Sequence, residues 1–200
     1  MDKADIFMYA FIGLIFILCL RVYSESELWS LKCVVSSVDG NKYCVRERLR
    51  IHEAADLLAT VTNKCKTLVN YLNTKYPDNK DVQRLVRNFD PKNVSETLPT
   101  SELTAYSENK GEKMAFCLNK DKLNDNVLID ENTLTFVAIH ELSHLMTPSI
   151  GHKSEFWRNF KFLLKEAKRI GIYEPKDYKR QNQEYCVMKI TDNPIYDYKG

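Results

Sequence analysis

The chain has 200 residues, 44% of them hydrophobic, which suits one domain with a core and an appendage. Its 29 basic and 27 acidic side chains leave a net charge of +2, so no global field calls for nucleic acid as a partner.

Residues 6 to 20 carry no charge, Arg21 ends the run, and Val22 and Tyr23 extend it at an interface. A bilayer asks for about 20 apolar residues, with roughly 17 as the lower end. Ala4 to Tyr23 meets this, with Asp5 and Arg21 near the ends and Arg21 able to snorkel. The run has no polar face, which speaks against a buried core helix. A cleaved signal peptide is the rival reading. Against it, the opening Met-Asp-Lys-Ala-Asp is not net basic, Arg21 stands where a cleavage region should be small and polar, and a Val22-x-Ser24 site is poor. Residues 1–23 are therefore read as a single-pass membrane anchor and residues 24–200 as the domain it carries. Lys3 on one side faces Arg21 and Lys32 on the other, which leaves the orientation open.

Residues 28 to 45 read as a hairpin, two β-prone runs around Asp39-Gly40-Asn41. Cys33 and Cys44 fall in opposite arms, disulfide-bonded in an oxidising compartment and free thiols in a reducing one. Arg46 to about Tyr76 reads as one long helix, since Ile51, Ala55, Leu58, Cys65, Leu68 and Leu72 keep helical spacing. His52 opens His-Glu-Ala-Ala-Asp, which lacks a second histidine, and is read as a surface residue. A short helix is expected from about Asp81 to Phe89, and Asp90-Pro91 opens a loop reaching residue 104. In that loop Asn93-Val94-Ser95 is a glycosylation sequon, meaningful only in a secretory lumen. A Lys110-Gly111 turn leads into an apolar strand from Lys113 to Leu118. As an edge strand it would recruit an extended peptide through main-chain hydrogen bonds; as a central strand both its edges are already paired. Residues 119 to 126 form a polar loop.

A helix is expected from an N-cap at Asp130 to about Met146. It carries His140-Glu141-Leu142-Ser143-His144, a match to H-E-x-x-H. One helical turn brings both imidazoles to one face, within reach of one metal ion, and puts Glu141 beside a metal-bound water. A catalytic zinc takes three protein ligands and a water, so a third donor is needed. His152 follows the helix-ending Thr147-Pro148 and Gly151 and is the nearest; Glu155 and Glu166 are its rivals. Ser154 is expected to cap a second helix, Glu155 to Ile170, with Gly171 as its stop. On it Trp157 sits one position off the apolar stripe and is assigned to core packing rather than to shielding the metal. Its basic residues, from Arg158 to Arg169, are read as a solvated face. Residues 184 to 190 look like a last strand, and 192 to 198 a turn-like tail. Outside the anchor the cysteines are Cys33, Cys44, Cys65, Cys117 and Cys186. That number is odd, so at least one is unpaired, and they are too dispersed for a metal clamp.

The H-E-x-x-H helix, the following Gly151-His152 and the Ser154-Glu155-Phe156-Trp157 that opens the next helix resemble the WLM and SprT-like zinc metallopeptidases. The likeness covers about Tyr106 to Tyr173 and looks closest to WLM-like proteins of large DNA viruses. It implies a zincin-like domain, zinc on His140, His144 and His152, Glu141 as catalytic glutamate, and a virion or host membrane for the anchor. Seven residues separate His144 from His152, whereas the usual WLM spacing is five and SprT-like spacing is longer.

The expected activity is hydrolysis of a peptide or protein substrate, with Zn2+ activating water and Glu141 as general base. Tyr106, Tyr173 and Tyr185 are candidate donors to the developing oxyanion. The alternatives are a membrane-anchored structural or virion protein whose zinc only clamps the fold, and a zinc amidase acting on cell-wall peptides. The expected fold class is α+β: a long helix, a small sheet and the two motif helices around one core, preceded by the transmembrane helix.

Overall fold

Helix α1 (Lys3–Ser24) opens the computed structural model, which describes residues 3–24, 31–121 and 124–197. From Asp5 to Tyr23 it is long and apolar enough to cross a membrane, and none of that window is buried. The hairpin β1 (Leu31–Val35) and β2 (Lys42–Arg46) follows, antiparallel, with Cys33 opposite Cys44 and disulfide-bonded to it. The expected hairpin positions 28–30, residues 122–123 of the polar stretch and Tyr198 of the tail lie outside the described residues.

Helix α2 (Ile51–Lys75) starts five residues later than its pattern suggests. Arg46 instead ends β2, because its side chain is needed elsewhere. Its Nε and Nη2 donate to Thr97 O (2.8 Å) and Thr97 Oγ1 (3.0 Å), and its backbone N–H donates to Glu96 Oε2 (2.7 Å). Arg48 also pairs with Glu96, so two guanidinium groups converge on one buried carboxylate. That carboxylate belongs to β3 (Val94–Glu96), a strand inside the stretch read as a loop. Only three residues long, β3 is held by parallel pairing with β5 (Lys113–Phe116), a partner no local pattern reveals. On the other side of β5 lies β4 (Ala105–Glu108), antiparallel. The sheet order is β3-β5-β4, so the apolar strand is central and its proposed edge role passes to β4. The polar stretch after it is a second hairpin, β6 (Asn119–Asp121) with β7 (Asn124–Leu128).

Helix α3 (Lys80–Asn88) is capped by Asn79, whose side chain accepts from the N–H groups of Asp81 and Val82. Helix α4 (Glu131–Met146) begins as expected, with the Asp130 side chain accepting from Thr133 N. It is the centre of the core: α2, α3 and α5 (Ser154–Arg169) all pack on it, and Leu134, Ala138, Leu142 and Leu145 are fully buried. Ser154 does not cap α5; Lys153 holds the cap position without a side-chain bond, and Ser154 is the first helical residue. Gly171, at φ +73°, closes α5, its N–H on Lys168 O and the next N–H on Ala167 O. The last expected strand is a hairpin, β8 (Gln183–Tyr185) and β9 (Met188–Ile190), folded at Cys186, which has φ +58°. Cys186 is disulfide-bonded to Cys117 across a separation of 69 residues, which leaves Cys65 as the buried free thiol.

Candidate functional site

His140 and His144 lie on one face of α4, a turn apart, and the loop from Thr147 to Lys153 brings His152 back over them. The His144 Nε2 lies 3.3 Å from the His140 Nε2, and the His152 Nε2 lies 3.1 and 3.2 Å from those of His140 and His144. Four tetrahedral ligands about 2.0–2.1 Å from a zinc ion stand roughly 3.3 Å apart, so the spacing fits that ion. Three imidazoles also make a donor set suited to it. The ring of Phe156 lies against all three imidazoles, with centroids 4.9, 4.4 and 4.6 Å from His140, His144 and His152. Burial, then the neighbouring histidines, lowers the pKa of His140 to about 3; burial, then His152 and Lys110, lowers that of His144 to about 4. Both rings are therefore neutral at physiological pH, the form that ligates a metal.

Glu141 follows His140 and is 5% exposed. Burial raises its carboxyl to about 7, opposed by a hydrogen bond with the Ser107 side chain. Ser107 is on β4, which thus reaches the site through a residue that nothing in the sequence marks out.

The end of α4 is held from outside. Its carbonyls at Leu145 and Met146 accept from Asn88 Nδ2 and Arg84 Nη1, both at 3.0 Å. Lys110 Nζ donates to His144 O (3.2 Å), Thr147 O (2.9 Å) and Ser149 O (3.1 Å). It therefore ties the last helical turn to the loop that carries His152. Lys110 reaches this spot from a left-handed turn, Asn109, Lys110 and Gly111 having φ of 43°, 59° and 115°. A Cβ at Gly111 would stand 1.9 Å from Asn88 O, so only glycine fits there.

Two hollows meet at the histidines. One, lined by Ser107, Lys110, Ile150 and all three imidazoles, runs along β4. The other is a more apolar chamber lined by Phe136, Val137, Trp157, Phe160 and the β8–β9 hairpin. Of the three tyrosines, Tyr106 lines the first hollow and Tyr185 the second. Tyr173 lines neither; it is buried, and its hydroxyl accepts from Asn193 Nδ2. Trp157 is not in the core but 43% exposed, its ring 5.7 Å from that of His152. Glu155 accepts from Ser149 N, and Glu166 is engaged by Tyr71, Lys75 and Tyr76, so neither rival joins the three histidines. His52 is exposed on α2, as expected.

No family model matches the chain. Three uncharacterised viral proteins are similar to it. One from Acanthamoeba polyphaga mimivirus is 26% identical over 190 residues, 93% of each chain. One from Invertebrate iridescent virus 6 is 32% identical over 82 residues, 41% of this chain and 44% of that protein. One from Invertebrate iridescent virus 3 is 39% identical over 59 residues, 30% and 36% of the two chains. Among solved structures, Wss1 from Saccharomyces cerevisiae aligns over 63% of this chain and 86% of its own, with a TM-score of 0.48 and 18% identity.

Proposed function

We propose that the chain is a zinc-dependent peptidase held at a membrane by α1. The observation that carries this is the convergence of three imidazole nitrogens within 3.3 Å, with a buried glutamate beside them, at the meeting of two open hollows. His140, His144 and His152 would hold the ion. A structural zinc site is usually closed by four protein ligands, and among the described residues only these three gather.

Zinc, when bound, supplies Lewis acidity and lowers the pKa of a coordinated water to about 7. The rest falls to the chain. Glu141 takes a proton from the attacking water on a carboxylate oxygen and delivers it to the departing amine nitrogen. Ser107 orients that carboxylate. Tyr106 and Tyr185, which line the two hollows, are the hydroxyls we propose to meet charge on the carbonyl oxygen, Tyr185 now donating to Thr104 O at 3.2 Å. Substrate binding is the task of β4. Cys117 N–H donates to Thr104 O (2.7 Å), so Thr104, Tyr106 and Glu108 direct their main-chain groups at β5, and Ala105 and Ser107 turn theirs to the open edge. An extended peptide can pair there, in the hollow that the three histidines also line.

The test is Glu141→Gln in the zinc-loaded chain. Peptide hydrolysis should fall by at least a hundredfold while zinc content stays unchanged. Full activity in that variant would overturn the mechanism. Viral relatives and an apolar first helix support a virion or host membrane as the place of action.

A further inference from the structure

Asn93-Val94-Ser95 is the one Asn-x-Ser/Thr triplet in the chain, and the function proposed above makes no use of it. Asn93 ends the short 3-10 helix Pro91–Asn93, just ahead of β3, and is exposed. Its backbone N–H donates to Asp90 O (3.2 Å), while its side-chain amide has no hydrogen-bond partner among the described residues. The Oγ of Ser95 is buried on β3, also without a partner among the described residues. A buried hydroxyl left unbonded costs stability that an alanine would not. Folding therefore gives no reason for a hydroxyl at this position. An enzyme that reads the unfolded chain does.

We propose that the domain faces an oxidising lumen and carries an N-linked glycan on Asn93. The inference rests on α1 entering a membrane and is independent of the peptidase reading. Lys3 and Arg21 leave open which side of the membrane the rest of the chain occupies, and the disulfides answer it. Cys33–Cys44 and Cys117–Cys186 are both closed, and such bonds persist in the secretory lumen and are rare in a reducing cytosol. Cys33 is exposed on β1, so a cytosolic pool of glutathione would reach that bridge and open it. The modification is a group transfer. Asn93 Nδ2 loses one proton to a base and bonds to the anomeric carbon of a sugar chain. The bond from that carbon to a lipid diphosphate breaks, and the diphosphate leaves with the electron pair. Donor and transferase belong to the cell's secretory membrane. The sheet order β3-β5-β4 sets β5 between β3, which Asn93 leads into, and the open edge of β4. The glycan therefore grows from the opposite side of the sheet to the edge proposed for substrate.

The experiment expresses the full chain in animal cells, separates membranes by alkaline carbonate extraction and treats the chain with peptide N-glycosidase. Wild type should stay with the membranes and run as a slower gel band that the glycosidase converts to one faster band. Asn93→Gln and Ser95→Ala should show only the faster band. Ser95→Thr, which keeps the hydroxyl, should keep the slower one. The transfer precedes the pairing of β3, so these outcomes do not depend on whether a variant folds. A glycosylated chain released from the membranes keeps the inference and turns α1 into a cleaved signal. A membrane-bound wild type without the slower band overturns the inference and leaves the anchor reading intact. An unshifted chain in the soluble fraction overturns both. A slower band that persists in Asn93→Gln puts the sugar elsewhere and overturns the assignment to Asn93.

Discussion

Lys110 shows how much of the site is arranged by residues that ligate no metal. It sits in a left-handed turn that most side chains avoid, and its ammonium group donates to three carbonyls at the end of α4 and along the loop to His152. Lys110→Met keeps the apolar stem and removes the donors, so the loop would lose its hold on the helix. Zinc affinity, read by competition with a chromogenic chelator, should fall about ten- to a hundredfold, as for other residues that orient metal ligands. An unchanged affinity with a lowered melting temperature would make Lys110 a fold residue only. His140, Glu141 and His144 were legible in the sequence because one helical turn fixes their relation. His152 was legible because the chain has few other donors within reach. Lys110, Ser107 and Phe156 were not, because each meets the site only after β4, β5 and α5 have docked on α4. Trp157 departs from its core assignment for the same reason: its position one off the stripe gives no hint that a cavity opens beside it.

At the scale of elements, helices were read well and short strands poorly. Helix α4 announces itself by an N-cap and a continuous apolar surface. The three-residue strand β3 has neither, and its partner β5 lies some twenty residues on, so only the folded sheet reveals it. Whether β5 is an edge or a central strand stays open in the sequence, because strand order depends on that same distant pairing. What fixes β3 is also what binds the first hairpin to the domain. Arg46 and Arg48 close on Glu96, with all three side chains no more than 4% exposed. Breaking a buried ion pair from one side strands the other charge, at a cost of about 3–5 kcal/mol. Glu96→Gln should lose stability of that order in urea unfolding followed by tryptophan fluorescence. A loss below about 1 kcal/mol would mean that water reaches the two guanidinium groups and the cluster is not a closed one.

For the molecule as a whole, the core is complete without α1, none of whose membrane-length window is buried. What links the far ends of the domain is Glu166. This buried side chain on α5 accepts from Lys75 Nζ (3.0 Å), Tyr71 OH (3.0 Å) and Tyr76 OH (3.1 Å), all at the end of α2, and from Arg169 (2.5 Å). Burial alone would push its carboxyl up. The hydrogen bonds from Lys75, Tyr71 and Tyr76 and the Lys75 charge outweigh that and hold it below the ordinary 4.5. A carboxyl depressed in the folded state prefers that state when ionised, so its contribution is whole above pH 4.5 and fades as pH falls through the lower folded value. Wild type and Glu166→Gln, compared by urea unfolding between pH 7 and pH 3, should therefore differ most at pH 7. The gap should hold down to about pH 5 and then close, because protonation does to the wild type what the substitution does to the variant. No gap at pH 7 would show that α2 and α5 are joined there by packing of Tyr76 on Phe162, whose centroids lie 5.4 Å apart, and not by the carboxylate.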